Sequence, residues 1–463
     1  MASDSETNPF LQGNFAPWRS EDDYPQLRVV GELPRELNGT YYRNGPNPAF
    51  EPKGRYHWFD GDGMIHAVTI RDGKASYRNR YVMSSGLEQE MEAGKALYSG
   101  LLEFGPEMLS EGPQFKNTGN TNIVAHAGKL LALMEGSLPT QMQPGTLETL
   151  GVYDFNGKLG TAMTAHPKLD PETGEMLFFG YAPVPPFLTY HVADKNGVLV
   201  RSEVIDIEWP SMIHDFVTTR EHVIFILCPL VFSLENLANT GSLFSWEAER
   251  GTRLGVMPRG GGNGDVRWFS TDACYVFHPL NAYGSGNRLI VEAARFGRLT
   301  LMEPREHQDG GPDTVPRLHR WTIDLASGSL QSEPLDDRVA EFPRVDDRRV
   351  GLQHRYGYMA GAGAVMDGAP SFNAIYKFDL QTGRSWSHEF GADNGCGEAI
   401  FVPKNERAGE DEGFLMTFFY DAARDTSELV LLDAQNISDE PIARIQIPHR
   451  VPYGFHGNWV AAT

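Results

Sequence analysis

The segment Thr164-Ala-His-Pro-Lys-Leu-Asp-Pro-Glu-Thr-Gly-Glu175 sets a single histidine among small and turn-forming residues. Three later segments do the same: Met212-Ile-His-Asp-Phe216, Val276-Phe-His-Pro-Leu-Asn-Ala-Tyr283 and Tyr453-Gly-Phe-His-Gly-Asn-Trp459. One histidine in a turn is usually an ordinary polar loop residue. Four such segments favour another interpretation, in which their histidines are imidazole ligands of one metal ion: His166, His214, His278 and His456.

The regions around these segments alternate short apolar runs with tight turns. Ile123–Met134 holds two apolar runs around the turn His126-Ala-Gly-Lys129, and Ala374–Leu380 runs into Thr382-Gly383. This pattern predicts short antiparallel strands joined by hairpin turns, with helical residues only around 86–102. No two units are close copies, so the repetition is architectural. About two dozen strands favour an all-β propeller of six to eight four-stranded blades.

A propeller also explains how histidines far apart in the sequence can meet. Each blade sends an inner strand along the central axis, so one residue from each of several blades points toward a common centre. The four histidine segments are spread widely enough to lie in different blades. The fold therefore supplies the geometric reason for a shared metal.

Length and composition limit the other possibilities. We expect a polar N-terminal arm over 1–25 and one propeller domain over 26–463, because no linker interrupts the chain. A net charge of -21 argues against nucleic acid or an anionic membrane as a partner. Three scattered cysteines argue against disulfides or a thiolate metal site, and no signal peptide or membrane-length apolar run is evident. We therefore expect a cytoplasmic protein.

Four neutral imidazoles suit iron, copper, zinc or nickel, and they leave the charge of a divalent ion uncompensated. Carboxylates that accept the outer imidazole N–H groups would orient the rings and offset that charge. Three glutamates stand in apolar or turn contexts that suit this role: Glu135, Glu341 and Glu398.

Several of these segments together resemble the carotenoid cleavage oxygenases. The resemblance rests on Leu37-Asn-Gly-Thr-Tyr-Tyr-Arg-Asn-Gly-Pro-Asn-Pro48, Trp58-Phe-Asp-Gly-Asp-Gly-Met64, Glu341-Phe-Pro-Arg-Val-Asp346 and the segments that hold His166, His214 and His456. It runs in order from Leu37 to Trp459. It implies a seven-bladed β-propeller with a loop and helix cap over an axial iron site.

The resemblance also implies the site and its chemistry. One iron(II) per chain would be held by the four histidines, with the three glutamates hydrogen-bonded to three of them. The family cleaves a C=C bond with O2 to give two carbonyl products, without an organic cofactor or a reducing cosubstrate. Cap segments around Leu97–Met108 and Pro229–Trp246 would line an apolar route to the iron.

The expected substrate and O2 pocket contains Phe59, Leu101, Thr121, Met134 and Phe277. Family members place a threonine whose methyl group crowds the iron at Thr121, and an aromatic residue of the substrate cleft at Phe59. Stilbene-cleaving relatives hold a phenol hydroxyl with a tyrosine and a lysine where this chain has Leu101 and Met134. Neither side chain can stabilise a phenolate, which favours a carotenoid or apocarotenoid. A phenylpropanoid such as isoeugenol, or a stilbene, stays open as the alternative.

Two other classes of propeller remain as competing hypotheses. A calcium-dependent lactonase would need carboxylate and carbonyl ligands rather than four histidines. A protein-binding scaffold would need no metal, and iron content would separate it from an enzyme. We expect an apolar small-molecule alkene as the partner, with at most weak membrane contact and no obligate protein partner.

Overall fold

A computed structural model describes residues 8–54, 56–100, 116–240, 242–300, 311–366 and 369–462. The chain divides into two compact units, one formed by Met1–Tyr153 with Tyr358–Thr463 and the other by Asp154–Gly357. The expectation of a single catalytic domain over 26–463 stays a prediction.

The described residues are mainly β-strands. The strands of the first half are β1 Asp23–Tyr24, β2 Arg28–Gly31, β3 Gly39–Pro46, β4 Gly63–Arg71, β5 Lys74–Tyr81, β6 Asn122–His126, β7 Lys129–Leu133, β8 Thr140–Met142, β9 Thr149–Val152, β10 Lys168–Leu169, β11 Met176–Tyr181, β12 Leu188–Ala193, β13 Leu199–Val204, β14 Phe216–Thr218, β15 His222–Leu227, β16 Leu230–Phe232 and β17 Phe244–Trp246. The remaining strands are β18 Thr252–Pro258, β19 Arg267–Thr271, β20 Tyr275–Ser285, β21 Arg288–Phe296, β22 Arg317–Asp324, β23 Ser329–Pro334, β24 Ala340–Arg344, β25 Tyr356–Met366, β26 Ala369–Asp379, β27 Arg384–Glu389, β28 Gly395–Cys396, β29 Ile400–Pro403, β30 Gly413–Asp421, β31 Thr426–Asp433, β32 Ala443–Ile447 and β33 Gly457–Ala461. Two α-helices accompany them, α1 Ser85–Ala93 and α2 Leu234–Thr240.

Seven sheets of four to six strands are the blades of a seven-bladed β-propeller. Five of them are built from strands that follow one another along the chain: β6–β9, β10–β13, β14–β15–β18–β19, β20–β23 and β24–β27. The predicted all-β propeller is confirmed, with the blade number that the family resemblance implied. The expected hairpin at His126-Ala-Gly-Lys129 joins β6 to β7, with Ala127 and Gly128 in the left-handed region (φ 49° and 74°).

The other two sheets combine the two ends of the chain. Strand β33 pairs with β3 in one sheet, and β2 pairs with β32 in the other. Within the partly ordered arm expected over 1–25, β1 pairs with β5 and the Trp18 ring stacks on His449 at 4.3 Å between ring centroids. These contacts tie part of 8–25 to the rest of its unit, and the arm as a separate segment stays a prediction.

Apolar side chains on alternating strand faces build the core. In the 154–357 unit, a buried cluster includes Phe179, Tyr190, Phe216 and Phe225. Such alternation lets each sheet bury one row of side chains against its neighbour.

The register of β20 against β21 shifts between Val276 and Pro279 and again between Pro279 and Asn281. An irregularity of this kind re-aims the side chains around it, and His278 lies within it.

The segment Pro229–Trp246 interrupts one blade with β16, α2 and β17. It was predicted as part of a cap, and its apolar residues Leu230, Leu243 and Phe244 are buried. The other predicted cap segment, Leu97–Met108, lies from 101 onward outside the described residues. Among the helices that the structure describes, none has the length and apolar character needed to cross a membrane.

Candidate metal centre

Three of the four predicted ligands converge within the 154–357 unit. His166 lies just before β10, His214 just before β14, and His278 in the irregular part of β20. Nε2 of His214 is 3.0 Å from Nε2 of His166 and 3.2 Å from Nε2 of His278. The three rings therefore present the same nitrogen to one small region.

Hydrogen bonding alone does not account for this convergence. A ring nitrogen carries either one N–H or one lone pair, so Nε2 of His214 cannot make a good hydrogen bond to both neighbours. Metal–imidazole bonds of about 2.1 Å place two nitrogens at right angles about 3.0 Å apart, against about 3.4 Å in a tetrahedral site. The observed separations of 3.0 and 3.2 Å fall within the range expected for two nitrogens that bind one ion. The donor set therefore fits a first-row transition metal.

Glu341 holds His278 in the orientation that a ligand needs. Nδ1 of His278 donates to Oε2 of Glu341 over 2.6 Å, and both side chains are buried. This bond fixes the tautomer with the lone pair on Nε2.

Phe342 completes the contacts around His278. Its backbone N–H donates to Oε2 of Glu341, and its ring stacks on His278 at 5.2 Å and 22°. Its φ of 52° is unusual for a residue other than glycine. Backbone strain of this kind is found where a functional contact requires it, and here it brings both the N–H and the ring to the His278–Glu341 pair.

His166 has a different environment. Its Nδ1 lies 3.8 Å from Oδ2 of Asp215, which is beyond hydrogen-bond distance, and that carboxylate pairs with Nζ of Lys168 at 2.7 Å. Burial raises the pKa of the Asp215 carboxyl, while the Lys168 ammonium opposes the shift. The His166 ring thus lies beside a carboxylate whose charge is already balanced.

The backbone near His166 is tied to the segment of His214. The hydroxyl of Thr164 accepts from the backbone N–H of His166 at 3.1 Å and donates to the carbonyl of His214 at 3.3 Å. Phe277 packs edge-on against the His214 ring at 5.1 Å and 88°. These contacts place the expected pocket residue Phe277 beside a candidate ligand.

The unit formed by 1–153 and 358–463 contains the fourth predicted ligand. Nδ1 of His456 donates to Oε1 of Glu398 over 3.0 Å, and Oε2 of Glu398 accepts from the backbone N–H of Gly457 at 2.9 Å. Both His456 and Glu398 are buried. The pair of His278 and Glu341 has the same arrangement. In both pairs the glutamate accepts from a histidine Nδ1–H and from a backbone N–H, which comes from Phe342 in one pair and from Gly457 in the other.

Thr121 and Phe59 lie close to this pair within the same unit. The carbonyl of Thr121 accepts from the backbone N–H of His456 at 3.2 Å. The ring of Phe59 contacts Phe455, the residue before His456, at 5.6 Å and 67°. Two of the expected pocket residues are therefore neighbours of the His456 segment.

Met134 and Glu135 follow directly after β7 and are half-buried. Thr121 donates its N–H to the carbonyl of Leu133 at 2.9 Å, which keeps this end of β7 next to Thr121. The remaining pocket residue, Leu101, lies outside the described residues.

Sequence reasoning missed four neighbours of the histidines: Phe342, Asp215, Lys168 and Phe455. Three of them directly follow or precede a predicted site residue, and Lys168 is two positions from His166. Their position next to predicted site residues was the only sequence signal for them. That position does not reveal which of the adjacent side chains contact the histidines.

Comparison with known proteins identifies the group to which this architecture belongs. The family model described as RPE65, retinal pigment epithelial membrane protein, matches residues 15–461. A carotenoid cleavage oxygenase of Mycobacterium tuberculosis is 36% identical over 521 residues, covering 100% of this chain and 99% of that relative. The chain belongs to the carotenoid cleavage oxygenase family. The resemblance seen in the sequence motifs is thereby confirmed.

Other relatives show that the family has several kinds of substrate. An isoeugenol monooxygenase of Pseudomonas nitroreducens is 34% identical over 475 residues, covering 99% of both chains. Among solved structures, the lignostilbene dioxygenase of Pseudomonas brassicacearum matches with a TM-score of 0.91 and 33% identity, covering 98% of this chain and 99% of that one. Carotenoid cleavage oxygenases similar to this chain are thus named for polyene, phenylpropanoid and stilbene substrates.

Proposed function

We propose that this chain is a non-haem iron(II) dioxygenase that cleaves a C=C bond of a carotenoid or apocarotenoid with O2, giving two carbonyl products. The observation that carries the proposal is the convergence of three imidazole nitrogens, one of them on a glutamate-bonded ring, in a carotenoid cleavage oxygenase family member. One iron per chain and no organic cofactor would be required.

The proposed ligands are the four histidines His166, His214, His278 and His456. The convergence of His166, His214 and His278 within one unit supports three of them, and the family resemblance supports His456. The proposed hydrogen-bond acceptors are Glu341, Glu398 and Glu135. Bonds to His278 and His456 support the first two, and the family resemblance supports Glu135.

The identity of the metal follows from the donor set and the relatives. Neutral nitrogen ligands accept iron, copper, zinc or nickel. Relatives named as oxygenases and dioxygenases favour a redox-active metal over zinc. Bound iron(II) would supply the activation of O2 toward an electron-rich alkene.

The protein's own side chains would position the reactants and exclude water. Glu341 and Glu398 each hold one ring in a single tautomer, so the opposite nitrogens would accept a metal without reorganisation. Phe277 and Phe342 cover the rings of His214 and His278 with apolar surface. Phe59 would line the substrate cleft, and the methyl group of Thr121 would crowd one position near the metal. No residue needs to transfer a proton.

A polyene substrate is favoured because Leu101 and Met134 both lack a group that could bind a phenol oxygen. Met134 is half-buried, and its sulfur accepts from the backbone N–H of Gly136 at 3.1 Å. Together with Leu101 it offers neither a donor nor a positive charge to a phenol oxygen. A carotenoid or apocarotenoid is electron-rich without ionisation and needs only an apolar route.

A phenylpropanoid or stilbene is the second candidate substrate. The isoeugenol monooxygenase covers nearly the whole chain at 34% identity, and the lignostilbene dioxygenase has a TM-score of 0.91. Isoeugenol cleavage to vanillin would keep the proposed iron chemistry and change only the substrate.

The experiment that tests this function is product analysis of the iron-loaded enzyme under air. An apocarotenal, isoeugenol and a 4-hydroxystilbene would be compared, with an anaerobic control for each. O2-dependent aldehyde from the apocarotenal alone is the expected result. Vanillin from isoeugenol would favour the second candidate, and no product from any of the three alkenes would contradict both.

A gain of function checks the reading of Leu101 and Met134. We expect the double variant Leu101→Tyr, Met134→Lys to acquire cleavage of the 4-hydroxystilbene, because it restores both partners of the phenol. The single variant Met134→Leu is the matched control and should not acquire it. Equal stilbene turnover in the wild type, the double variant and Met134→Leu would show that these positions do not select the substrate.

We further propose a cytoplasmic enzyme whose partner is an apolar small molecule. Three free, buried cysteines suit a reducing compartment. The net charge of -21 disfavours nucleic acid and anionic membranes. Burial of Leu243 and Phe244 in the cap segment supports weak membrane contact at most.

A further inference from the structure

Strand β13 is an outer strand with an exposed apolar face. It lies at the end of the β10–β13 sheet and pairs with β12 on one side. Val200 is 57% exposed and Val204 is 47% exposed, and Val198, just before the strand, is 44% exposed. Three exposed valines at one sheet edge are an unusual use of apolar residues, because edges of this kind invite further strand pairing.

The backbone of β13 is also arranged for such pairing. Ile205 donates its N–H to the carbonyl of Leu188 at 3.0 Å, and the antiparallel register continues with Glu203 opposite Tyr190 and Arg201 opposite Val192. Backbone groups in an antiparallel pair face the partner at every second residue. Those of Ser202 and Val204 therefore point away from β12, and Val200 lies at a bulge, where Arg201 pairs with Val192 but Leu199 pairs with Ala193.

We propose that β13 pairs with the β13 strand of a second copy of this chain, antiparallel and centred on Ser202. In that register Val200 lies opposite Val204 of the second copy, and Arg201 lies opposite Glu203 of the second copy. Each apolar residue meets an apolar residue and each charge meets its opposite, on both sides of a two-fold axis. The outward backbone groups of Ser202 and Val204 are among those that would form the hydrogen-bonded pairs.

The two charged side chains are already held along this edge. A guanidinium nitrogen of Arg201 donates to the carbonyl of Gly261, and Oε1 of Glu203 accepts from the backbone N–H of Asn263 at 3.1 Å. The two side chains are 3.8 Å apart, between nitrogen and oxygen. Because they are ordered before association, pairing would cost less side-chain entropy.

Strand β9 provides a natural contrast. It is also the outer strand of its sheet and exposes Leu150 and Val152, at 51% and 59%. Its sequence, Thr149-Leu-Gly-Val152, contains no charged pair and only four residues. It therefore lacks the self-complementary charges of β13 and serves as the control surface.

Association can be measured on the full chain by sedimentation velocity over a range of protein concentrations. The wild type is expected to form dimers, and Val200→Asp is expected to abolish them. Leu150→Asp on β9 should leave dimerisation unchanged. Circular dichroism and a melting curve would verify that each variant is folded. A wild type that stays monomeric, or dimers unaffected by Val200→Asp, would overturn the proposal.

The charge pair permits a sharper test by exchange. Arg201→Glu and Glu203→Arg should each weaken dimerisation about tenfold, because each places like charges opposite one another. The double variant Arg201→Glu, Glu203→Arg should restore it. A mixture of the two single variants should form mixed dimers, because each copy then supplies the charge that the other lacks. Failure of both the double variant and the mixture to recover association would overturn the register.

Discussion

His278 and His166 belong to the same cluster but are supported in different ways. His278 donates Nδ1–H to Glu341 over 2.6 Å, and its ring is covered by Phe342. His166 stands 3.8 Å from an Asp215 carboxylate that is occupied by Lys168. The support for His166 comes through its backbone: the Thr164 hydroxyl accepts from the His166 N–H and donates to the carbonyl of His214.

The difference separates two tasks that charged groups perform near a metal. Glu341 acts on the ring itself, so its contribution should appear in metal affinity. The Lys168–Asp215 pair is a buried ion pair beside the ring, so its contribution should appear mainly in the free energy of unfolding. Substitutions at the two sites can therefore be told apart by comparing iron binding with thermal stability.

The largest effect should come from removing a ligand. In His278→Ala, iron binding and alkene cleavage should be lost, while circular dichroism shows a folded β protein. His126→Ala, at the hairpin turn between β6 and β7, is the matched control and should keep both. Full activity in an iron-poor His278→Ala variant would refute the ligand assignment.

Replacing Glu341 by Gln should weaken iron binding about 10- to 100-fold, because the acceptor remains but its charge is lost. Glu398→Gln should have a similar effect, since Glu398 bonds Nδ1 of His456 and a backbone N–H in the same manner. Equilibrium titration with iron(II) under nitrogen measures both. Unchanged affinity in the two variants would count against the proposed role of these glutamates.

Asp215→Asn should affect the free energy of unfolding more than it affects iron affinity. It leaves the Lys168 ammonium largely buried without its carboxylate, which should lower the free energy of unfolding by on the order of 3 kcal/mol. Iron affinity should fall less than in Glu341→Gln, because no hydrogen bond to the His166 ring is lost. Denaturant unfolding and iron titration of the same preparations make the comparison. A larger affinity loss in Asp215→Asn than in Glu341→Gln would show that the aspartate orients the ring directly.

The smallest effect should arise at Asp170, in the turn that follows His166. Burial by itself raises the pKa of this carboxyl, but bonds from Arg259 and from the backbone of Thr173 and Glu172 lower it overall. A folded-state pKa below the unfolded value stabilises the protein above about pH 4, and the stabilisation disappears as the pH falls through the folded-state pKa.

Asp170→Asn removes that contribution and should lower the free energy of unfolding at neutral pH by less than Asp215→Asn does. The difference from the wild type should vanish in acid, provided both remain folded there. A stability difference that is constant between neutral and acidic pH would show that Asp170 acts through packing rather than charge.

Much of the fold and several residues of the candidate site could be predicted from local sequence. Hairpin signals such as Ala127-Gly128 predicted the blades, and turn segments with one histidine predicted the ligands. The pairing of β33 with β3 and of β2 with β32 could not be predicted, because it joins strands from opposite ends of the chain. Phe342 was missed because its importance lies in a positive φ, which the sequence Glu-Phe-Pro-Arg does not reveal.

The helix predicted around 86–102 is confirmed for Ser85–Ala93, which ends at Gly94 in the left-handed region. Hydrophobic periodicity predicts helices and strands but assigns no role to single residues in loops, so those roles came from the family resemblance. The roles of Leu101 and Glu135 rest on that resemblance and stay predictions. Substrate choice depends on such loop residues, which is why sequence patterns predicted the chemistry more readily than the substrate.

Turnover measured against iron occupancy tests the proposed iron-dependent cleavage most directly. Metal-free protein would be loaded with increasing iron(II) under nitrogen, and aldehyde formation from an apocarotenal would then be followed after admitting air. Iron-dependent cleavage predicts that the rate rises in proportion to bound iron and stops rising at one iron per chain. Turnover by the metal-free protein, or no oxygen-dependent product from any alkene at full occupancy, would contradict it.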